Sequence, residues 1–159
     1  MKRDAGFFGS AGKSRSGNSA NVTMPRLLPE DYEALANFRY AMRKFLSFSK
    51  RALAAEARLT TEQYEALLAL KAFAGSTGLS ISDLSERLQV KHHSAVSLID
   101  KLEERHLARR QPGVSDRRQV FVRLTPAGAR LLGRVAALHR NEMRSRSPEM
   151  IEALLRLRK

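Results

Sequence analysis

The sequence predicts a mainly α-helical chain with one small β-hairpin, and three observations predict it. From Pro29 onward, apolar residues recur at spacings of three and four. Short hydroxyl-led motifs (Thr60-Thr61-Glu62-Gln63, Ser80 with Asp83, Thr125-Pro126) open successive helices. Only Val120, Val122 and Leu124 alternate with period two. With 159 residues, 43% of them hydrophobic and 28% charged, the chain is long enough for one domain with a real core. The expected division is a tail over 1–24 and one domain over 25–159.

Charge narrows the partner. There are 29 Lys and Arg against 16 Asp and Glu, a net charge of +13, which points to a polyanion such as nucleic acid or an anionic membrane surface. There is no cysteine, which excludes disulfides, thiolate nucleophiles, thiol-based oxidant sensing and cysteine-ligated zinc. No run approaches the 18 apolar residues of a spanning helix, and the first 25 residues lack the apolar core of a secretory signal. The expectation is a soluble cytoplasmic protein without a membrane partner.

Residues 1–24 are rich in Gly, Ser, Asn and basic residues, with Phe7, Phe8 and Val22 as scattered apolar positions, so a mobile tail is expected. Its readings are a basic arm adding phosphate contacts, an organellar transit peptide, or a leader ahead of Met24. Lys2, Arg3, Lys13, Arg15 and Arg26 against Asp4 contribute +4, leaving +9 elsewhere. Gly9-Ser10-Ala11-Gly12-Lys13-Ser14 resembles the end of a phosphate-binding loop. However, Phe7 stands where the first glycine is needed, and no strand precedes it.

The first helix runs from about Glu30 to Glu56 and spans roughly 40 Å at 1.5 Å per residue. Leu35, Phe38, Met42, Phe45, Ser49 and Ala52 form its stripe, widened by Leu46 and Leu53. So long a helix needs a second layer, most economically from a partner chain. The capping box at Thr60 starts the next helix, with Tyr64, Leu67, Leu68 and Phe73 on one face and Gly75 and Gly78 ending it. Ser80 and Asp83 open a short helix with Ile81, Leu84 and Leu88 inward. After the tight Gln89-Val90-Lys91 connection, another helix covers His92 to Arg105, inward through Ala95, Leu98, Ile99 and Leu102. Extended residues Ala108 to Pro112, a turn over Gly113 to Asp116 and the strand about Val122 make the hairpin. Thr125 and Pro126 start a helix that buries Leu131, Leu132, Val135 and Leu138. Ser147-Pro148-Glu149 repeats the device before a separate last helix with Ile151, Leu154 and Leu155.

Two short helices joined by a tight turn and followed by a hairpin describe a winged helix-turn-helix. The second helix of that unit enters the major groove of DNA and the hairpin reaches the adjacent backbone or minor groove. With Ala95, Ile99 and Leu102 inward, His93, Ser97 and Asp100 fall on the opposite face, flanked by Ser94, Val96 and Lys101. Short hydroxyls and imidazoles approach base edges where large charges do not fit. From Arg105 to Arg123 there are six arginines and one acid, Asp116, a local +5 expected to serve DNA contact. Residues 130–159 add a further +5, for which the account is general electrostatics.

Asp116-Arg117-Arg118 and Val120-Phe121-Val122-Arg123-Leu124-Thr125-Pro126-Ala127-Gly128 resemble the wing and wing ending of the MarR family of bacterial transcription regulators. Leu59-Thr60, Gln63, Leu84-Ser85-Glu86-Arg87-Leu88, His92-His93-Ser94 and Leu98 to Glu103 extend the resemblance, which covers about residues 29–159. It implies a homodimer on a pseudo-palindromic double-stranded operator, with a DNA-binding lobe over about 60–125 and dimerisation helices over about 29–56 and 126–159. It also implies roles by position. Arg118 is the minor-groove arginine, with Asp116 supporting it and Arg117 beside it. His92, His93, Ser94, Ser97 and Lys101 face the groove, while Leu35, Phe38, Ile151 and Leu154 join the dimer. The function implied is repression of a nearby gene, relieved by a small aromatic or lipophilic ligand. No cofactor, metal or catalytic residue is implied. His106 departs from the glycine usual after the recognition helix, and a left-handed backbone there costs His more than Gly.

Other readings use the same residues. His92 with His93, or His139 with Glu142, are candidate metal ligands, although adjacent helical histidines diverge by about 100°. Phe38, Phe45 and Tyr64 serve either as core or as the lining of a ligand pocket. HExxH and GxSxG motifs do not occur, which argues against a hydrolase. A nonspecific architectural DNA-binding protein is the alternative within the winged-helix reading.

Overall fold

In a computed structural model, residues 26–113 and 119–158 are described. The order is α1 (Pro29–Ala57), α2 (Thr61–Phe73), β1 (Leu79–Ser80), α3 (Ile81–Arg87), α4 (His92–Glu104), β2 (Ala108–Pro112), β3 (Val120–Leu124) and α5 (Pro126–Leu157). The two long helices α1 and α5 pack along each other, and α2, α3, α4 and the sheet form a lobe at one end.

The predicted caps are present. Thr60 Oγ1 accepts from the Gln63 N–H (3.2 Å), and Gln63 Oε1 accepts from the Thr60 N–H (3.0 Å). Ser80 Oγ accepts from the Asp83 N–H at 3.1 Å, and Thr125 Oγ1 from the Gly128 N–H at 3.0 Å. Helix ends use a different device, because no glycine follows α1, α3 or α4. Arg58, Gln89 and His106 adopt left-handed backbones with φ of 49°, 53° and 55°. After α4 the His106 N–H donates to the Glu103 carbonyl (2.8 Å) and the Leu107 N–H to the Leu102 carbonyl (2.9 Å), so the stop is sharp despite His at the glycine position.

Four expectations are corrected. The hairpin is part of a three-stranded antiparallel sheet ordered β1-β3-β2, because Leu79 and Ser80 pair with Val122 and Phe121. Ser147-Pro148 does not start a new helix. The α5 helix runs through it, and Ser147 Oγ donates at 3.2 Å to the Arg144 carbonyl, the acceptor that proline's missing N–H leaves free. On α2, Leu68 and Phe73 are exposed, and the buried face is Gln63, Tyr64, Ala66, Leu67, Ala69 and Leu70. The α1 stripe divides into two faces: Ala34, Ala41, Ser49 and Leu53 are buried, while Leu35, Met42 and Leu46 point outward.

The core of the lobe is made of Leu67, Leu84, Ile99, Leu102 and Val122, all fully buried, with Leu59, Tyr64, Leu70, Leu79 and Leu107 around them. Gly128 locks α5 to it. A Cβ there would lie 1.9 Å from the Leu107 carbonyl oxygen, which itself accepts from the Thr125 N–H at 3.1 Å.

Candidate nucleic-acid interface

Burial of Ala95, Ile99 and Leu102 fixes the roll of α4 and turns its other side to solvent. His92, His93, Ser94, Ser97 and Lys101 are all exposed. His93, Ser94, Ser97 and Lys101 come together with Val90, Leu98 and the α2 entry residues Thr60, Glu62 and Gln63 around an open groove of about 450 Å³. His92, the first helical residue, lies outside that lining. The α2 entry residues are an addition that periodicity along α4 alone does not reveal. Hydrogen bonds to its own backbone N–H, then to Thr60, hold the Glu62 carboxyl below the usual carboxylate range. Burial pushes the Tyr64 phenol up.

Asp116, Arg117 and Arg118, assigned to the wing, lie outside the described residues. The base of the wing is described, and it changes the reading of the local positive charge. Arg105 donates to the carbonyls of Ala57 (2.8 Å) and Arg58 (2.7 Å), tying the end of α4 to the end of α1. Arg123 donates to the Ser76 carbonyl at 2.7 Å, and Gln111 Nε2 to the Thr77 carbonyl at 2.8 Å, fastening the hairpin to the loop before β1. Arg110 turns back onto α4, where it pairs with Asp100 at 2.8 Å and with Glu103. Three of the six arginines are therefore engaged in holding the lobe together, while Arg109 is exposed.

Along the long helices, Leu35, Ile151 and Leu154 are 40%, 53% and 48% exposed and Phe38 is half-buried. Phe45 and Tyr64 belong to a buried cluster rather than an open pocket. Tyr64 stacks on the His139 ring (centroids 4.5 Å apart), and Phe45 and Phe48 meet its edge. His139 Nδ1 donates to the Val135 carbonyl at 2.8 Å, and its Nε2 bonds to the Ser49 hydroxyl at 2.8 Å, so both ring nitrogens are occupied. Glu142 pairs with Arg146 instead of joining His139. No cluster of three metal-ligating side chains occurs among the described residues. A separate open groove of about 460 Å³ on α1 is lined by Met42 and Leu46 together with Arg39, Arg43, Ser47 and Lys50. No helix among the described residues is long and apolar enough to cross a membrane.

A MarR family profile matches residues 59–119, the span from the start of α2 to the wing. The transcriptional regulator PecS of Dickeya dadantii is 30% identical over 102 residues, covering 64% of this chain and 61% of that protein. The match thus spans about three fifths of that relative's length. A variant of MepR from Staphylococcus aureus, solved with a bound oligodeoxyribonucleotide, aligns over 78% of this chain and 92% of its own, at 23% identity and a TM-score of 0.61. CouR from Rhodococcus jostii, solved with p-coumaroyl-CoA, aligns over 67% of this chain and 72% of its own, at 24% identity and a TM-score of 0.59. These two likenesses are of fold.

Proposed function

We propose that this chain carries a MarR-family winged-helix domain, as the profile match over residues 59–119 and the similarity to PecS support, and that it is a dimeric, sequence-specific repressor of a nearby gene. The observation that carries the reading is the exposed polar face of α4. His93, Ser94, Ser97 and Lys101 offer donors, acceptors and one cation on a helix whose opposite side is fully buried, the arrangement a major-groove reader needs. His92 at the helix start extends the contact set. Asp116, Arg117 and Arg118 supply the wing, with Arg118 entering the minor groove.

Dimerisation rests on Leu35, Phe38, Ile151 and Leu154, large apolar residues on long helices that this chain alone leaves uncovered or half-covered. Two lobes on a two-fold axis then read half-sites about one helical turn apart. The effector is a small aromatic or lipophilic anion. The α1 groove suits that chemistry, because Met42 and Leu46 accept an apolar body while Arg39, Arg43 and Lys50 meet its charge. Catalysis has no part in this reading.

The test is competition binding at fixed salt. A palindromic duplex from the DNA flanking the gene should be bound at least about 10³-fold more tightly than random duplex. Arg118→Ala should weaken operator binding by roughly tenfold or more while the dimer persists in light scattering. Equal affinity for operator and random duplex refutes the repressor reading and leaves a nonspecific architectural protein.

A further inference from the structure

Of the charged groups in the lobe, Arg110 has the partners least expected from its position. It lies on β2, in a stretch of basic residues next to the surface assigned to DNA, yet it turns onto α4 and is half-buried, 29% exposed. Its guanidinium reaches Asp100 at 2.8 Å and also pairs with Glu103, while its backbone N–H donates to Glu103 Oε1 at 2.6 Å. One terminal nitrogen also approaches the Val96 carbonyl at 3.4 Å. All three partners belong to α4, on successive turns of the helix that carries His93, Ser97 and Lys101.

We infer that Arg110 is a positioning residue for DNA reading: it fixes the hairpin strands β2 and β3 to the recognition helix as one rigid body and makes no DNA contact itself. Three observations combine here. First, the forked guanidinium holds two carboxylates at once, which sets an angle as well as a distance, whereas a lysine meets one at a time. Second, Asp100 and Glu103 would otherwise set two negative charges beside a phosphate backbone, and Arg110 cancels part of that repulsion. Third, the opposite face of the hairpin is fastened independently by Gln111 to the Thr77 carbonyl and by Arg123 to the Ser76 carbonyl. Held on both faces, strands β2 and β3 keep a fixed distance from α4, and a reader that touches two grooves depends on that spacing.

The inference rests on the DNA-reading function proposed above, and its test separates the two. Wild-type full-length protein selects duplexes from a random 30-bp pool, and the enriched duplex and a scrambled one are the probes. If the wild type enriches nothing, the DNA-reading function itself falls. If it enriches a sequence, R110M and the triple variant D100N/E103Q/R110M are compared with it over a salt series, with circular dichroism and thermal melting confirming the fold.

Expected are a roughly tenfold or greater loss of affinity for the enriched duplex in both variants, a change under about threefold for the scrambled one, and an unchanged slope of log K against log salt. The triple variant isolates the geometric role, because it is more positive than wild type by one charge and lacks the two carboxylates. Full recovery of selectivity in the triple variant would reduce Arg110 to charge masking and overturn the inference. So would a slope shallower by about 0.9, the signature of a lost phosphate contact, or an R110M variant that binds like wild type. Should R110M not fold, R110K carries the same test, since it keeps the charge and loses the fork.

Discussion

The lobe from α2 to β3 and the far ends of α1 and α5 bury different kinds of side chain. In the lobe, Leu67, Leu84, Ile99, Leu102 and Val122 lose all contact with solvent. Along α1 and α5 the same holds at Leu53 and nearly so at Leu132 and Val135, all near the lobe. Away from it the buried residues are Ala34, Ala41 and Ala153, and the large side chains Tyr32, Leu35, Met42, Leu46, Ile151, Leu154 and Leu155 are exposed. Each fully buried Leu or Ile is worth about 1.5–3 kcal/mol, so alanine contacts leave the far ends thinly held and a wide apolar surface uncovered. The lobe completes its own core. The helices present theirs to something else, which under the proposed function is a second copy at Leu35, Ile151 and Leu154 and the effector at Met42 and Leu46.

Breaking the second half of this contrast gives the largest expected effect. Ile151→Asp with Leu154→Asp should halve the mass in light scattering, leave the lobe folded, and lower operator affinity by roughly 10²-fold through loss of the second half-site. A variant that keeps the wild-type mass would show that the exposed face of α5 does not join protomers.

The contrast also explains what was legible in the sequence. Each cap at Thr60, Ser80 and Thr125 was legible, because an N-cap is a local bond between residues three apart. The roll of α4 was legible, because its buried face is strictly periodic from Ala95 to Leu102. The division of the α1 stripe was not. Periodicity marks every apolar position without distinguishing alanine buried within the chain from leucine turned away from it. Strand β1 has two residues, too few for any alternation to register. Pro148 carried a start signal, and the Ser147 hydroxyl that lets the helix continue is the residue that also made it look like a cap. At the candidate site, the exposed set on α4 was readable from spacing. The partners of Arg105, Arg110 and Arg123 are between 7 and 48 residues away, beyond what local composition records.

A smaller effect sharpens the border between the two regions. At Gly128 an added Cβ would lie 1.9 Å from the Leu107 carbonyl oxygen and 2.8 Å from its carbon, both backbone atoms that cannot rotate away. Gly128→Ala should therefore cost about 3 kcal/mol by urea unfolding as the lobe and α5 are forced apart. Gly133 is on the same helix five residues on, with nothing within 4 Å of its added Cβ. Gly133→Ala should raise stability by about 0.8 kcal/mol, the ordinary helix preference for alanine. Equal effects at the two glycines would mean that the lobe does not close against α5 through this contact.

The smallest effect lies within the lobe, at the turn that ends α4. His106 holds φ at 55°, where a side chain costs about 1–2 kcal/mol, while its backbone makes the bonds that close the helix. The His106 carbonyl also accepts from Thr125 Oγ1 at 2.6 Å, a bond glycine would keep. Against the strain relieved, glycine adds about 0.5–1 kcal/mol of unfolded-state entropy. The balance favours His106→Gly by about 0.5–1 kcal/mol, which for a chain of this size raises Tm by roughly 1–4 °C. Since the imidazole is exposed, its removal opens no cavity. A lowered Tm would show that the imidazole contributes more to the lobe than its backbone strain costs. It would then be a working part of the surface between α4 and the wing, to be tested with the operator beside Arg110.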